Sequence, residues 1–330
     1  MILPLISAAF AAFALMAYVV LDGFDLGVGT LLFLQRADAS RDHMVDSITP
    51  TWDGNETWLI MAGVTLLAAF PIAYGILLPA LYLPVIAMLL SLGLRGVSFE
   101  FRVQRKDQRH FWDMVFATGS TIAAFMQGVI LGTLLEGIHI QGVQFNGSVL
   151  DVVRPLPILS GITLVVGYTV LGSGWLYFKA NHLLQRFATR TLRGASICFG
   201  ALFCLSCLYA VAIQPGISAA WAVHPIALSM LASLFVVLSA CLFAVAGKKR
   251  AILPFLISVT QFFVGMTGIA VIVYPNIVPF RISLWDAAAS SASQMFVLIG
   301  AAVVTPVVIA YSAFAYWVFR GRTPAKGWES

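Results

Sequence analysis

Long apolar runs broken by short polar clusters dominate the 330-residue chain. Stretches long enough to cross a ~30 Å hydrocarbon core, about 20 mostly apolar residues, recur near 4–34, 55–74, 76–99, 113–136, 156–179, 194–213, 221–246, 251–273 and 291–319, and the second is the shortest. Turn chemistry falls between them: Phe70-Pro71, Gln214-Pro215-Gly216, Tyr274-Pro275-Asn276 and the polar run from Gln144 to Arg154. The pattern predicts an all-α membrane protein of about nine transmembrane helices, a single polytopic domain over 1–330. The opening MILPLISAAFAAFALMAYVV has no basic n-region and no small-residue cleavage site before its apolar run, so it reads as a retained first span.

Composition sharpens this reading. Charged residues make up 10% of the chain and hydrophobic residues 60%, against roughly 25% charged in a soluble domain, and mean hydropathy is +0.94. A water-soluble fold is excluded. Cytoplasmic loops should collect lysine and arginine, and all of the 19 except Arg154 and Arg281 fall on one side of the nine-span topology. They lie around Arg36 and Arg41, from Arg95 to Arg109, from Lys179 to Arg193, at Lys248 to Arg250, and at Arg320, Arg322 and Lys326. This places the N-terminus outside and the C-terminus in the cytoplasm. The net charge of +5 then reflects topology, with anionic lipid headgroups rather than nucleic acid as the partner.

Cys198, Cys204, Cys207 and Cys241 all lie in apolar runs, where they read as buried apolar-like thiols. Cys204-x-x-Cys207 has no following histidine for covalent haem attachment and no second metal-binding pair. His43, His110, His139 and His182 fall in or beside loops. Only His224 stands near a span end, where it reads as an interfacial, hydrogen-bonded residue and a poor candidate ligand. A lone histidine there supplies no facing pair of ligands inside the bundle.

Ionisable groups inside spans cost ~2.5–3.5 kcal/mol each on insertion scales, which makes them the candidates for chemistry. Asp22-Gly23-Phe24-Asp25-Leu26-Gly27 puts two carboxylates at i and i+3, with Gly23 and Gly27 as a groove for close helix contact. Asp25 stands eleven residues before Arg36, about 16 Å along a helix axis, so it must face protein or water. The second cluster, Pro50-Thr51-Trp52-Asp53-Gly54-Asn55-Glu56-Thr57-Trp58, opens the second span between two tryptophans suited to the membrane interface. Asp53 and Glu56 have the spacing of a helix cap and capping box. Alternatively, with Asp25, they form a hydrated relay leading protons inward, because burial disfavours the charged carboxylate and eases proton exchange near neutral pH. Arg95, at the end of the third span, either pairs with one of these acids or snorkels to the interface.

The segments Asp22-Gly-Phe-Asp25-Leu-Gly-Val-Gly29, Thr51-Trp-Asp53-Gly-Asn-Glu-Thr-Trp58-Leu, Arg95-Gly-Val-Ser-Phe-Glu-Phe-Arg102 and Trp285-Asp286-Ala-Ala-Ala-Ser-Ser, in this order, resemble subunit II of the cytochrome bd-type quinol oxidases. The short connection between the sixth and seventh spans resembles the cyanide-insensitive-type branch. The resemblance implies two four-helix bundles plus one peripheral helix, in a complex that oxidises quinol, reduces O2 to water and takes its protons from the cytoplasm of a bacterial inner membrane. It implies a haem-bearing subunit I as partner, holding two haem b and one haem d, and a small single-span accessory subunit is compatible with it. It matches Asp25 and Asp53 to family carboxylates of a proton pathway, with Asp22 beside them; Glu56 stands where many members carry glutamine, so its proton role rests on chemistry alone. Some members hold a structural quinone in this subunit, and the aromatic stretch from Phe255 to Phe263 could take an isoprenoid tail or simply fill a bundle core.

Two other readings compete. A secondary transporter predicts an internal repeat, and the first acidic motif has no second copy, only a faint echo between Trp52-Asp53 and Trp285-Asp286. A purely structural subunit would use its acids for assembly rather than proton delivery.

Overall fold

The computed structural model describes residues 2–179, 182–248 and 252–321. Eleven α-helices follow one another: α1 (Leu3–Leu31), α2 (Asp38–Asp46), α3 (Trp52–Ala69), α4 (Pro71–Gln104), α5 (Arg109–Glu136), α6 (Pro155–Lys179), α7 (His182–Ile213), α8 (Pro215–Val223), α9 (Pro225–Val245), α10 (Leu253–Val273) and α11 (Ser291–Val318). Eight of them are long and apolar enough to cross a bilayer. The remaining candidate is α3, 18 residues or about 27 Å long, whose first turns carry the polar Asp53, Asn55 and Glu56. The nine expected spans are these eight and α3.

Helices α1, α3, α4 and α5 pack as one group and α6, α7, α9 and α10 as a second, joined where α6 packs on both α5 and α1, while α11 lies against α3 and α1. Boundaries shift from the expected ones where breakers act. Proline at position 71 lacks the N–H an interior helical turn needs, so it ends α3 at Ala69 and starts α4 five residues before the expected third span. The seventh expected span is split: α8 stops at Val223, and His224 links it to α9, which starts on Pro225. Two features have no counterpart in the apolar pattern: the antiparallel ribbons β1 (Ile140–Gln141) with β2 (Gln144–Phe145), and β3 (Asn276–Val278) with β4 (Ile282–Ser283). Both lie at the end of the molecule opposite the basic loops.

In a bilayer, helices associate by close packing rather than by a hydrophobic drive, and glycines set the approach here. A Cβ at Gly27 would lie 1.8 Å from the Tyr168 carbonyl oxygen, and one at Gly172 would lie 2.5 Å from the Gly27 backbone. Helices α1 and α6 therefore cross backbone to backbone, as the Gly23/Gly27 groove predicts. Gly128 and Gly161 do the same for α5 against α6. The cysteines depart from expectation: Cys198 and Cys241 are exposed and Cys204 and Cys207 partly so, all of them free. Cys198 on α7 and Cys241 on α9 sit on outer faces of their helices.

Ion pairs tie the basic end together. Arg102 donates to Asp113 and to Asp42, each at 2.6 Å, and Arg109 meets Asp42 at 2.7 Å. Arg41 donates to the Gln35 carbonyl at 2.7 Å and to His110 Nδ1 at 2.5 Å, and lies 3.8 Å from Asp113. These contacts clamp the short α2 onto α4 and α5. On α2, His43 is 6% exposed, and burial lowers its basicity because the charged imidazolium is poorly solvated there. Lys249, Arg250, Arg322 and Lys326 lie outside the described residues.

Candidate functional site

A polar cluster is buried where α1, α3, α4 and α11 meet. Asp22 and Asp25 sit one turn apart on α1, each 0% exposed. Gly23 and Gly27 hold the adjoining face of α1 against α6, which turns the acids towards α3 and α4. Arg95 reaches them from within α4, nine residues before the helix ends, and is itself 0% exposed. It neither ends the span nor snorkels. Its Nη2 donates to Asp22 Oδ1 at 2.6 Å and also to Glu56 Oε1. Gly119 makes room for this: a Cβ there would lie 2.7 Å from the Ser91 carbonyl and 3.3 Å from the Arg95 amide nitrogen, so α5 can cross directly over the turn that carries Arg95.

Asn55 completes the inner shell. Its Nδ2 donates to Asp25 Oδ2 at 2.7 Å and to the Leu21 carbonyl at 3.2 Å, and its Oδ1 accepts from the Tyr316 hydroxyl of α11 at 3.0 Å. On the other side of Asp22, Tyr18 faces it from one turn earlier. The Tyr18 hydroxyl accepts from Gln127 Nε2 at 2.7 Å, and Gln127 Oε1 accepts from the Tyr168 hydroxyl at 2.6 Å. Gln127 thus joins α1 to α6 through α5 with both ends of its amide satisfied. Asp22 Oδ2, Asp25 Oδ1, and Arg95 Nε and Nη1 are buried without a protein partner among the described residues. Such atoms are nearly always hydrogen-bonded to protein or to ordered water, so the cluster has the polarity of a hydrated site.

The structure brings Asp22, Asp25, Glu56 and Arg95 together and leaves Asp53 out. Helix α3 starts at Trp52 behind Thr51, and no side chain caps it, so the capping-box alternative for Asp53 and Glu56 does not hold. Glu56, 25% exposed, goes to Arg95 instead, while Asp53, one turn earlier, is exposed. The tryptophans divide: Trp52 stacks on Phe99 at 4.7 Å, but Trp58 is 2% exposed against Phe13 rather than at an interface. Of the aromatic stretch in α10, Phe255 packs on Phe24 and Trp175, Phe262 stacks on Tyr168 and Phe199, and Phe263 faces outward. His224 is exposed at the α8–α9 junction. No group of three or more histidine, cysteine or acidic side chains gathers as a metal site among the described residues.

Sequence reasoning missed Tyr18, Gln127, Tyr168 and Tyr316, and gave Asn55 no role. Gln127 carried a usable signal, an uncharged polar side chain in an apolar run that needs a partner inside the bilayer. Tyrosines carry none, since they suit cores and interfaces equally.

Eight helices long and apolar enough to span a bilayer, with a buried acid–arginine cluster where α1, α3, α4 and α11 meet, define a polytopic membrane protein that keeps protonatable groups inside its helix bundle. A family model described as cytochrome bd terminal oxidase subunit II matches residues 3–319. The cytochrome bd-I ubiquinol oxidase subunit 2 of Escherichia coli K12 is 27% identical over 348 residues, covering 93% of this chain and 92% of the relative. The cytochrome bd ubiquinol oxidase subunit 2 of Bacillus subtilis is 28% identical over 331 residues, with 93% and 92% coverage. The bd oxidase structure from Geobacillus thermodenitrificans shares the fold, with a TM-score of 0.77 at 16% identity over 98% of this chain and 100% of that one. The chain belongs to the cytochrome bd terminal oxidase subunit II family. It is a subunit of a quinol-oxidising, oxygen-reducing membrane complex.

Proposed function

We propose that Asp22, Asp25 and Glu56, gathered around Arg95, form a site through which this subunit takes protons from the cytoplasm and passes them towards oxygen reduction in a haem-bearing subunit I. One observation carries the reading: a fully buried arginine bridges two acids while a third, Asp25, lies one turn away with an unpartnered oxygen. Three carboxylates against one guanidinium let the cluster hold or release a proton without breaking every ion pair. Asp53, exposed near the basic end, is the outer carboxylate of this reading, collecting protons ahead of the buried site.

The concentration of arginine and lysine at one end supports an external N-terminus and a cytoplasmic C-terminus in a bacterial inner membrane. The relatives' names, both ubiquinol oxidases, support a quinol as electron donor to the complex; that two haem b and one haem d lie in subunit I rests on the family resemblance alone. The short link through α8 supports the cyanide-insensitive-type branch. A structural quinone in this chain would lie along the outward Phe263, since Phe255 and Phe262 are committed to the core. An accessory single-span subunit and annular lipids would complete the assembly.

The test is replacement of Asp25 or Asp22 by asparagine in the complex purified with its partner. The expected result is an unchanged haem spectrum with oxygen reduction down by roughly a hundredfold or more, the scale of losing a proton-transfer group. Loss of haem together with the complex would assign the acids to assembly, the second reading.

A further inference from the structure

Two small cavities open beside Tyr316 at the basic end. One, about 10 Å³, is lined by Pro50, Thr51, Gly54, Asn55, Tyr311, Ser312, Ala315 and Tyr316, between α3 and α11. The other, also about 10 Å³, adds Ser47, Trp175 and Lys179 on the far side of the same tyrosine. On this measure such a volume holds about one water molecule. The two differ in charge. Lys179 donates at 2.5 Å to the Phe319 carbonyl and lies 5.2 Å from the Trp175 ring centroid, a cation on the wall of its cavity. The α3–α11 cavity has no charged side chain in its lining, and its polar side chains are all neutral: the hydroxyls of Thr51, Tyr311, Ser312 and Tyr316 and the amide of Asn55. A cation repels an arriving proton, whereas hydroxyls can both accept from and donate to water.

The inner wall of the α3–α11 cavity leads to Asp25 in two hydrogen bonds. Tyr316 donates to Asn55 Oδ1 at 3.0 Å, and Asn55 donates to Asp25 Oδ2 at 2.7 Å. Asn55 is held rigidly, because its second amide hydrogen goes to the Leu21 carbonyl. Asp25 Oδ1 is buried without a protein partner among the described residues. Asp53 lines neither cavity.

Resting on the proton-uptake reading above, we propose that water reaches Asp25 between α3 and α11, and that Tyr316 is the positioning residue of this inlet. An amide does not carry a proton onward. Transfer therefore occurs when the Tyr316–Asn55 bond opens and a cavity water, carrying the incoming proton as hydronium, meets the Asp25 carboxylate; the carboxylate gains the proton and the water is left neutral. In the closed arrangement the tyrosine hydroxyl both orders the cavity water and keeps Asn55 on Asp25.

The experiment uses the intact complex with its haem-bearing partner. Tyr316→Phe removes the hydroxyl and keeps the ring against Trp175; Ser312→Val fills the cavity from the other wall without touching Asn55. Both variants are expected to keep the haem spectrum, lose roughly tenfold to a hundredfold in oxygen reduction, the scale of misplacing a reacting group, and show a larger solvent deuterium isotope effect than the parent. A purely structural defect would not raise the isotope effect. If both variants match the parent in rate and isotope effect while Asp25→Asn is inactive, the inlet lies elsewhere and the acid cluster stands. If Asp25→Asn itself turns over normally, the acid-cluster reading fails and takes the inlet with it.

Discussion

Arg95 and Asp22 meet at 2.6 Å with neither side chain exposed, joining α4 to α1 in the interior of the subunit. Desolvating two such charges is expensive, and their attraction offsets that cost only while both are present. Arg95→Met should therefore destabilise the subunit by about 3–5 kcal/mol, because it strands Asp22 and Glu56 together. The double variant with Asp22→Asn should recover part of the loss, since contacting residues do not behave additively. Thermal denaturation of the purified complex measures both; equal losses for the single and double variants would show that the pairing contributes nothing.

The α1–α6 crossing predicts a sharp contrast between glycines. Gly27→Ala forces a Cβ to within 1.8 Å of a backbone carbonyl that cannot rotate away, so it should exceed the usual overpacking cost of about 1–3 kcal/mol and lower the yield of folded subunit. Gly63→Ala, where nothing lies within 4 Å of the added atom, should be neutral or slightly stabilising in its helix. Expression yield and thermal midpoint in detergent compare the two.

Gln127 sits between two tyrosine hydroxyls, and its replacement by leucine leaves both facing an apolar group. A cost of about 1–3 kcal/mol is expected for the stranded groups. Adding Tyr168→Phe should return some of it by removing one stranded hydroxyl. Chemical or thermal denaturation of the single and double variants decides the point, and a neutral Gln127→Leu would show that the bridge is incidental.

His43 supplies a pH dependence. Its basicity is lowered in the folded subunit by burial, so its contribution to stability is fully present above the unfolded value near 6.5. The contribution is lost as pH falls below that value, where the unfolded chain binds a proton that the folded chain resists. Docking of α2 should loosen on mild acidification, and His43→Phe should flatten the acid side of the thermal-midpoint profile. A parent profile with no acid decline, or one unchanged by the substitution, would remove His43 as the cause.

The apolar runs, their breakers and the one-sided distribution of arginine and lysine were legible in the sequence by itself. Membrane spans must satisfy their own backbone and exclude charge, so length and composition show that they exist and roughly where they lie. The acids were legible too, because an ionisable group in such a run stands out against its neighbours. Which of them meet was decided only by tertiary structure. Asp53 and Glu56 are three residues apart on one helix, yet one faces out and the other reaches Arg95. Asn55, between them in sequence, binds Asp25 and Tyr316, the latter 261 residues away. Spans of this kind are apolar on most sides, so their sequences carry little record of how each helix is rotated about its axis. That rotation is set by close contacts such as Gly27 on Tyr168 and Gly119 on Ser91, which exist only once the helices have packed.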